Sequence, residues 1–201
     1  MAKEQIKISV RNLVEFILRS GDLDNRKDRT PDKNAMQAGS RIHRKIQRKM
    51  GMDYHAEVPL RIIIEEERYQ LVIEGRADGI IIEEENDIAT IDEIKGMYMD
   101  FTYLTEPIEV HQAQAMCYAY IYAVQHDLKK MKIQMTYCNL DTEEIKRFLK
   151  VISFHELEKW FFDLIASYKK WADFSYDWRL KRQASIQNLE FPFPYRKKKK
   201  K

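Results

Sequence analysis

Three consecutive stretches rich in Ile, Val and Leu constrain this chain most: His55 to Glu65, Tyr69 to Glu83 and Ile88 to Gly96. Only a charged turn at Glu66 to Arg68 and a second turn around Asn86 separate them. Runs of branched apolar residues this short, bounded by turn residues, read as strands. A sheet laid down in this way needs other segments to cover it. Ser9 to Arg19 has a helical period and stops at Gly21, and the polar stretch from there to Lys33 reads as a loop. A second helix is expected from Asn34 to Met50, ended by Gly51.

After the three strands, Val110 to Gln125 reads as a helix and Lys132 to Asn139 as a strand. Thr142 to Ile152 fits a strand or a helix and is taken as a strand. Ser153 and Glu156 form a capping box that opens a long final helix. Leu157, Phe161, Leu164, Tyr168 and Trp171 recur along it at helical spacing, as a core-facing stripe. The order of elements predicts an α/β fold, a small mixed sheet flanked by helices.

Composition narrows the class of molecule. Apolar residues are 44% and charged residues 33% of the 201, a balance that supports a packed core and excludes a disordered chain. No run approaches the ~18 apolar residues of a membrane span. The first residues, Met-Ala-Lys-Glu-Gln, lack the pattern of a secretory signal, so a cytoplasmic protein is expected. Cys117 and Cys138 are too few for a disulfide framework or a four-thiolate cluster and are read as reduced core thiols. The net charge of +3 includes the five lysines Lys197 to Lys201, and removing them leaves −2. A nucleic-acid partner must therefore be argued from local features rather than from overall charge.

Those features centre on Glu74-Gly-Arg-Ala-Asp78-Gly and, on the next strand, Ile91-Asp-Glu93-Ile-Lys95-Gly. Side chains alternate along a strand, so Glu93 and Lys95 project to one side. If the two strands are hairpin neighbours, Asp78 reaches that side too. Two carboxylates and an ammonium in one small volume call for a cation between the acids, and oxygen donors suit Mg²⁺ or Mn²⁺. Phosphodiester hydrolysis uses this equipment: an ion to polarise the phosphoryl group and a lysine to orient or deprotonate water. Asp92 points to the opposite face and is expected to be solvated, while Glu57 and Glu74 rank as secondary acids. His43 shares a helix face with Ile46 and Met50 and so points inward, by itself the mark of a core histidine. Gln114 and Tyr118, four apart, are neighbours on one helix face, with His111 one turn earlier. Arg41, Arg44, Lys45 and Arg48 crowd the outer faces of the second helix, where they would attract phosphates.

Taken together, these residues resemble the PD-(D/E)xK nuclease superfamily, in particular its RecB-like branch. That branch has an Asp at the end of one strand and a Glu-x-Lys on the next, supplied here by Asp78 and Glu93-Ile94-Lys95. It has a histidine on a preceding helix, matched by Gly39-Ser-Arg-Ile-His43, and a later Gln-x-x-x-Tyr, matched by Gln114 to Tyr118. The resemblance runs from about residue 39 to residue 118. It implies a PD-(D/E)xK-type core and a metal held by His43, Asp78 and Glu93 with the Ile94 carbonyl. It further implies that Lys95 acts on the attacking water, and that Gln114 and Tyr118 contact the substrate strand or brace the lysine. Some RecB-like nucleases also carry four cysteines around an iron–sulfur cluster. Cys117 and Cys138 do not match that pattern, so no cluster is expected.

The C-terminus carries a second resemblance. Arg182-Gln-Ala-Ser-Ile and Phe191-Pro-Phe-Pro-Tyr-Arg196 are similar to the approach to a DinG-like superfamily 2 helicase, yet no Gly-x-x-x-x-Gly-Lys-Ser/Thr loop follows. The expected organisation is a nuclease domain over residues 1–190, the start of a missing helicase domain at 191–196 and a lysine tail at 197–201. The expected function is Mg²⁺- or Mn²⁺-dependent hydrolysis of DNA, single-stranded or with a free end, within a helicase-nuclease of DNA repair or processing. No membrane partner is expected. Two rivals remain: an inactive module that binds single-stranded DNA for a helicase, and an unrelated α/β interaction domain.

Overall fold

The central strand of the sheet is paired along both of its edges, and by three partners. In the computed structural model, which describes residues 3–18, 33–83 and 87–187, this strand is β3 (Tyr69–Glu83). Along one edge it pairs antiparallel with β2 (Tyr54–Glu65). Along the other, its first half pairs parallel with β1 (Glu4–Ser9) and its second half antiparallel with β4 (Ile88–Met97). Beyond β4 come β5 (Lys130–Asn139), parallel to it, and β6 (Ile145–Ser153), antiparallel to β5. The sheet is thus mixed and six-stranded, and the α/β expectation holds.

Helices cover both faces. α3 (Glu109–His126) lies on β4 and β5 and is buried from Ala113 to Ala123, because α1 (Val10–Leu18) and α4 (Phe154–Gln187) pack on its outer side. α2 (Lys33–Gln47) covers the other face, where Ile42 and Ile46 meet Ile94 and Cys138. Both cysteines are buried and free, and Cys117 projects from α3 into the core. The capping box at the start of α4 forms reciprocally: the Glu156 amide donates to Ser153 Oγ (3.3 Å) and the Ser153 amide to Glu156 Oε2 (3.0 Å).

Three expectations need correction. β1 was not foreseen: only two of its residues, Ile6 and Ile8, are strongly apolar, and its partner lies more than sixty residues away in sequence. Trp171 is 46% exposed rather than in the core, because the buried stripe of α4 passes through Leu157, Phe161, Leu164 and Tyr168 and then turns to Ala172. Asp92 is fully buried. The loop read after Gly21, the turn at Asn86, the Phe191 to Arg196 segment and the lysine tail lie outside the described residues. Among the described residues no helix is long and apolar enough to cross a membrane.

Candidate active site

β3 and β4 stay paired from Glu83–Ile88 to Gly79–Asp92 and then part. Residues 75–78 of β3 face the gap between β1 and β4, so a fork opens in which Asp78 and Glu93 are the next opposed pair. β3 also changes face here. Ala77 and Ile80 are an odd number apart, yet both belong to the core under α3. The strict alternation of a strand is broken between them. Opposite Asp78 on β2, Glu57 takes a left-handed backbone (φ 55°) and drops out of the ladder.

The break aims the Asp78 carboxylate across the fork, where Oδ2 accepts the Ile94 amide (2.8 Å). One strand thereby supplies an acid and the other a backbone donor that fixes it. Asp78 Oδ1 lies 3.4 Å from His43 Nδ1 on α2. Gln47, one turn further along α2, donates to the Asp78 carbonyl (2.9 Å), so α2 is tied to this strand at two points. The Ile94 side chain turns away from the fork into the contact with α2.

Glu93 is buried beneath α3, with 1% of its surface exposed. Its Oε1 accepts from Lys95 Nζ (2.8 Å), whereas Oε2 is buried without any hydrogen-bond partner. Lys95 also donates to Gln114 Oε1 on α3 (3.2 Å). Gln114 in turn bonds to Tyr118, whose hydroxyl also accepts the Arg76 amide of β3. Six residues singled out from the sequence, His43, Asp78, Glu93, Lys95, Gln114 and Tyr118, are therefore linked in one cluster.

Burial and the charge of Asp78 set its electrostatics. Burial, and next the charge of Asp78, push the Glu93 carboxyl up to about 8, although Lys95 pulls it down. At His43 burial pulls the imidazole down, but the hydrogen bond and charge of Asp78 outweigh it and leave His43 above its ordinary value. The Asp78 charge thus acts on both neighbours, favouring the protonated form of Glu93 and of His43. His111 behaves in the opposite way: burial and then the charge of Lys95 lower it to about 4, and its buried Nδ1 has no partner.

The donor set, one imidazole and two carboxylates, suits a hard divalent cation, and the orphaned Glu93 oxygen is what such an ion would satisfy. As the side chains stand they are paired internally, Asp78 with His43 and Glu93 with Lys95. Accordingly no three His, Cys, Asp or Glu side chains among the described residues are gathered closely enough to hold an ion.

The remaining sequence candidates lie outside this cluster. Arg41, Arg44, Lys45 and Arg48, with Lys49, border a shallow basic groove of about 500 Å³ on the outer side of α2. Lys45 is ion-paired with Glu143 and Arg44 donates to its own helix at Ser40, which leaves Arg41 and Arg48 more open. Glu57 and Glu74 are partnered by Arg76 and Arg61 on the sheet surface.

Sequence reasoning missed a second polar layer behind the fork. Asp92 accepts from Thr136 Oγ1 (2.5 Å), Gln134 Nε2 (3.0 Å) and Tyr54 Oη (3.3 Å), so its three partners replace the solvent expected for it. Burial raises both Asp92 and Tyr54. Glycines make room for the two tyrosines. A Cβ on Gly79 would fall 1.9 Å from Tyr54 Oη, and one on Gly75 would fall 2.6 Å from Tyr118 Oη. The visible signal was the pair of glycines around Arg-Ala-Asp, each a place where something approaches the backbone closely.

No family model matches the chain, and no curated protein matches it. Among solved structures it is similar to the crystal structure of SSO0001, with a TM-score of 0.50 and 18% identity over 83% of this chain and 78% of that one. It is also similar to an alkaline exonuclease, LHK-Exo, from Laribacter hongkongensis, with a TM-score of 0.46 and 12% identity over 90% and 94% of the two chains. The first is a likeness of fold alone, and the second is too distant to carry functional weight.

Proposed function

We propose that this chain is a divalent-metal-dependent nuclease that hydrolyses DNA phosphodiester bonds at the β3–β4 fork. The observation that carries the reading is Glu93. A carboxylate buried beneath a helix, with one oxygen on Lys95 and the other on nothing, is costly to maintain for packing alone. A second acid across the fork and a histidine beside it complete the donor set for Mg²⁺ or Mn²⁺. His43, Asp78 and Glu93 would hold the ion, with the Ile94 carbonyl as a further oxygen. Such an ion polarises a phosphoryl oxygen and offsets negative charge as the bond breaks.

The chain's own groups do the rest. Glu93 and Gln114 hold Lys95 Nζ at the edge of the site, where it orients the attacking water or takes its proton. Tyr118 braces Gln114 against the backbone of β3, which limits the freedom of the lysine. α3 excludes solvent from the floor, so each charge acts in a low dielectric. Arg41 and Arg48 would draw phosphates toward the fork from α2. The similarity of Phe191 to Arg196 to a helicase approach supports a setting in helicase-linked DNA repair or processing.

A rival reading, an inactive domain that only binds single strands, draws on the internal pairing of Asp78 with His43 and of Glu93 with Lys95. Incubating end-labelled DNA with the protein and Mn²⁺ or Mg²⁺ separates the two. The nuclease reading expects fragments with either ion and none in chelator. Intact DNA with both ions, bound nonetheless, would favour the rival.

A further inference from the structure

The 34-residue α4 is anchored in the core by its first half, while its second half rests on the fold along one side only, through Tyr176 and the ion pairs of Asp173, Asp177 and Arg179. Beyond Ala172 no residue of the helix is buried. Its outer strip nevertheless continues in large rings: Trp171 is 46% exposed, Phe174 58% and Trp178 62%. Trp171 stacks on Phe174 with ring centres 5.5 Å apart and touches Phe16 of α1 at 5.7 Å. At positions i, i+3 and i+7 the three helix rings share one face.

Lys170, Lys181 and Arg182 are exposed along the same strip, and among the described residues no acid pairs with any of them. The other charges of this half of the helix are all engaged. Asp173 and Asp177 both take Arg68, Lys169 takes Glu66, and Arg179 takes Glu4. Along this outer strip a row of flat rings lies between free cations.

We infer that this strip is a binding track for single-stranded nucleic acid, with bases stacking on Phe174, Trp178 and Trp171 and phosphates meeting Lys170, Lys181 and Arg182. Unpaired bases offer π-faces to such rings, whereas a duplex hides them in its own stack. From Trp171 to Trp178 the helix rises roughly 10 Å, the reach of a few nucleotides. A second copy of the chain fits less well. Antiparallel pairing of the strip with itself would bring Lys170 opposite Lys181 and Arg182, like charge against like. The track extends the nuclease reading by naming a single-stranded substrate, but it stands on different residues from the fork.

The test is binding of a labelled oligothymidylate to the full chain in chelator, so that no cleavage intervenes. Phe174→Ala and Trp178→Ala should each weaken binding roughly tenfold, and Trp178→Phe should retain most of it. Changing Lys170, Lys181 and Arg182 together to alanine should lower the slope of log affinity against log salt by about 2, at ~0.7 per phosphate contact. These side chains are exposed, so melting curves should stay near wild type. Should an aromatic variant fail to fold, the charge variant still decides. Unchanged oligothymidylate affinity and salt slope would overturn the track, as would equal losses on duplex of the same length. A change of oligomeric state on sizing, with nucleic-acid binding intact, would assign the strip to a second copy instead. The two readings fail separately. Binding that depends on the strip, without cleavage in Mn²⁺, removes the nuclease; cleavage with unaltered binding in the variants removes the track.

Discussion

Glu93 and Lys95 share one buried contact, and their roles differ because only one of them is short of partners. Lys95 donates to both Glu93 and Gln114, while Glu93 keeps an oxygen that nothing satisfies. Lys95→Ala should therefore abolish cleavage and leave metal-dependent stabilisation largely in place; full activity in that variant would take the lysine out of the mechanism. The raised carboxyl gives a second expectation, with a definite sign. Its folded pKa of about 8 lies above the ordinary carboxylate value, so its contribution is present at low pH and lost as pH rises through 8. Metal-free wild type should lose stability relative to Glu93→Gln between about pH 5 and pH 9. The difference should be on the order of a few kcal/mol, at about 1.4 kcal/mol per pKa unit. Urea melts at the two pH values measure it, and parallel pH dependences would mean that Glu93 is not held protonated. Mn²⁺ competes with that proton, so its affinity should climb with pH and level off above 8.

The fork depends on how β3 is allowed to bend. Gly79 lies directly beneath the Tyr54 ring, and Tyr54 reaches over it to Asp92. Gly79→Ala forces the ring aside and should cost about 1–3 kcal/mol, the range for overpacking a filled site. On a Tyr54→Ala background the same change should cost far less, because the atoms it strikes are gone. Equal costs in both backgrounds, read from denaturant titrations, would show that the ring does not set the requirement for glycine. The contrast between what was and was not legible in the sequence has the same root. β2, β3 and β4 could be read because their apolar runs and turns are local, and the capping box because its two partners are three residues apart. β1 could not, since its strand character comes from pairing with β3 rather than from Ile6 and Ile8 alone. Asp92 was misread because alternation correctly placed it opposite Glu93 but says nothing about Tyr54, Gln134 and Thr136, which come from two other strands. Spacing along the strands made Asp78, Glu93 and Lys95 legible as a group, whereas His43, Gln114 and Tyr118 joined them only through the resemblance to a nuclease family. Their internal pairing was not legible, because it depends on the break in β3.

An ion that binds only the folded chain stabilises all of it, and the effect can be sized. At tenfold excess over Kd the gain is about 1.4 kcal/mol, which for a chain of this length raises Tm by roughly 3–6 °C. Mn²⁺ should produce that rise in wild type, and Asp78→Asn should lose most of it while melting, without metal, at least as high as wild type. An equal Mn²⁺ response in both proteins would place the ion somewhere other than between β3 and β4. The reaction itself can be followed in one gel. Wild type and Asp78→Asn, at equal concentration and each verified as folded, are incubated with end-labelled single-stranded DNA in Mn²⁺ and in chelator. Cutting by wild type in Mn²⁺ alone, with Asp78→Asn binding the strand but leaving it whole, is the expected result. Cutting by Asp78→Asn at the wild-type rate, or no cutting by wild type with either Mn²⁺ or Mg²⁺, would contradict a nuclease centre at the fork.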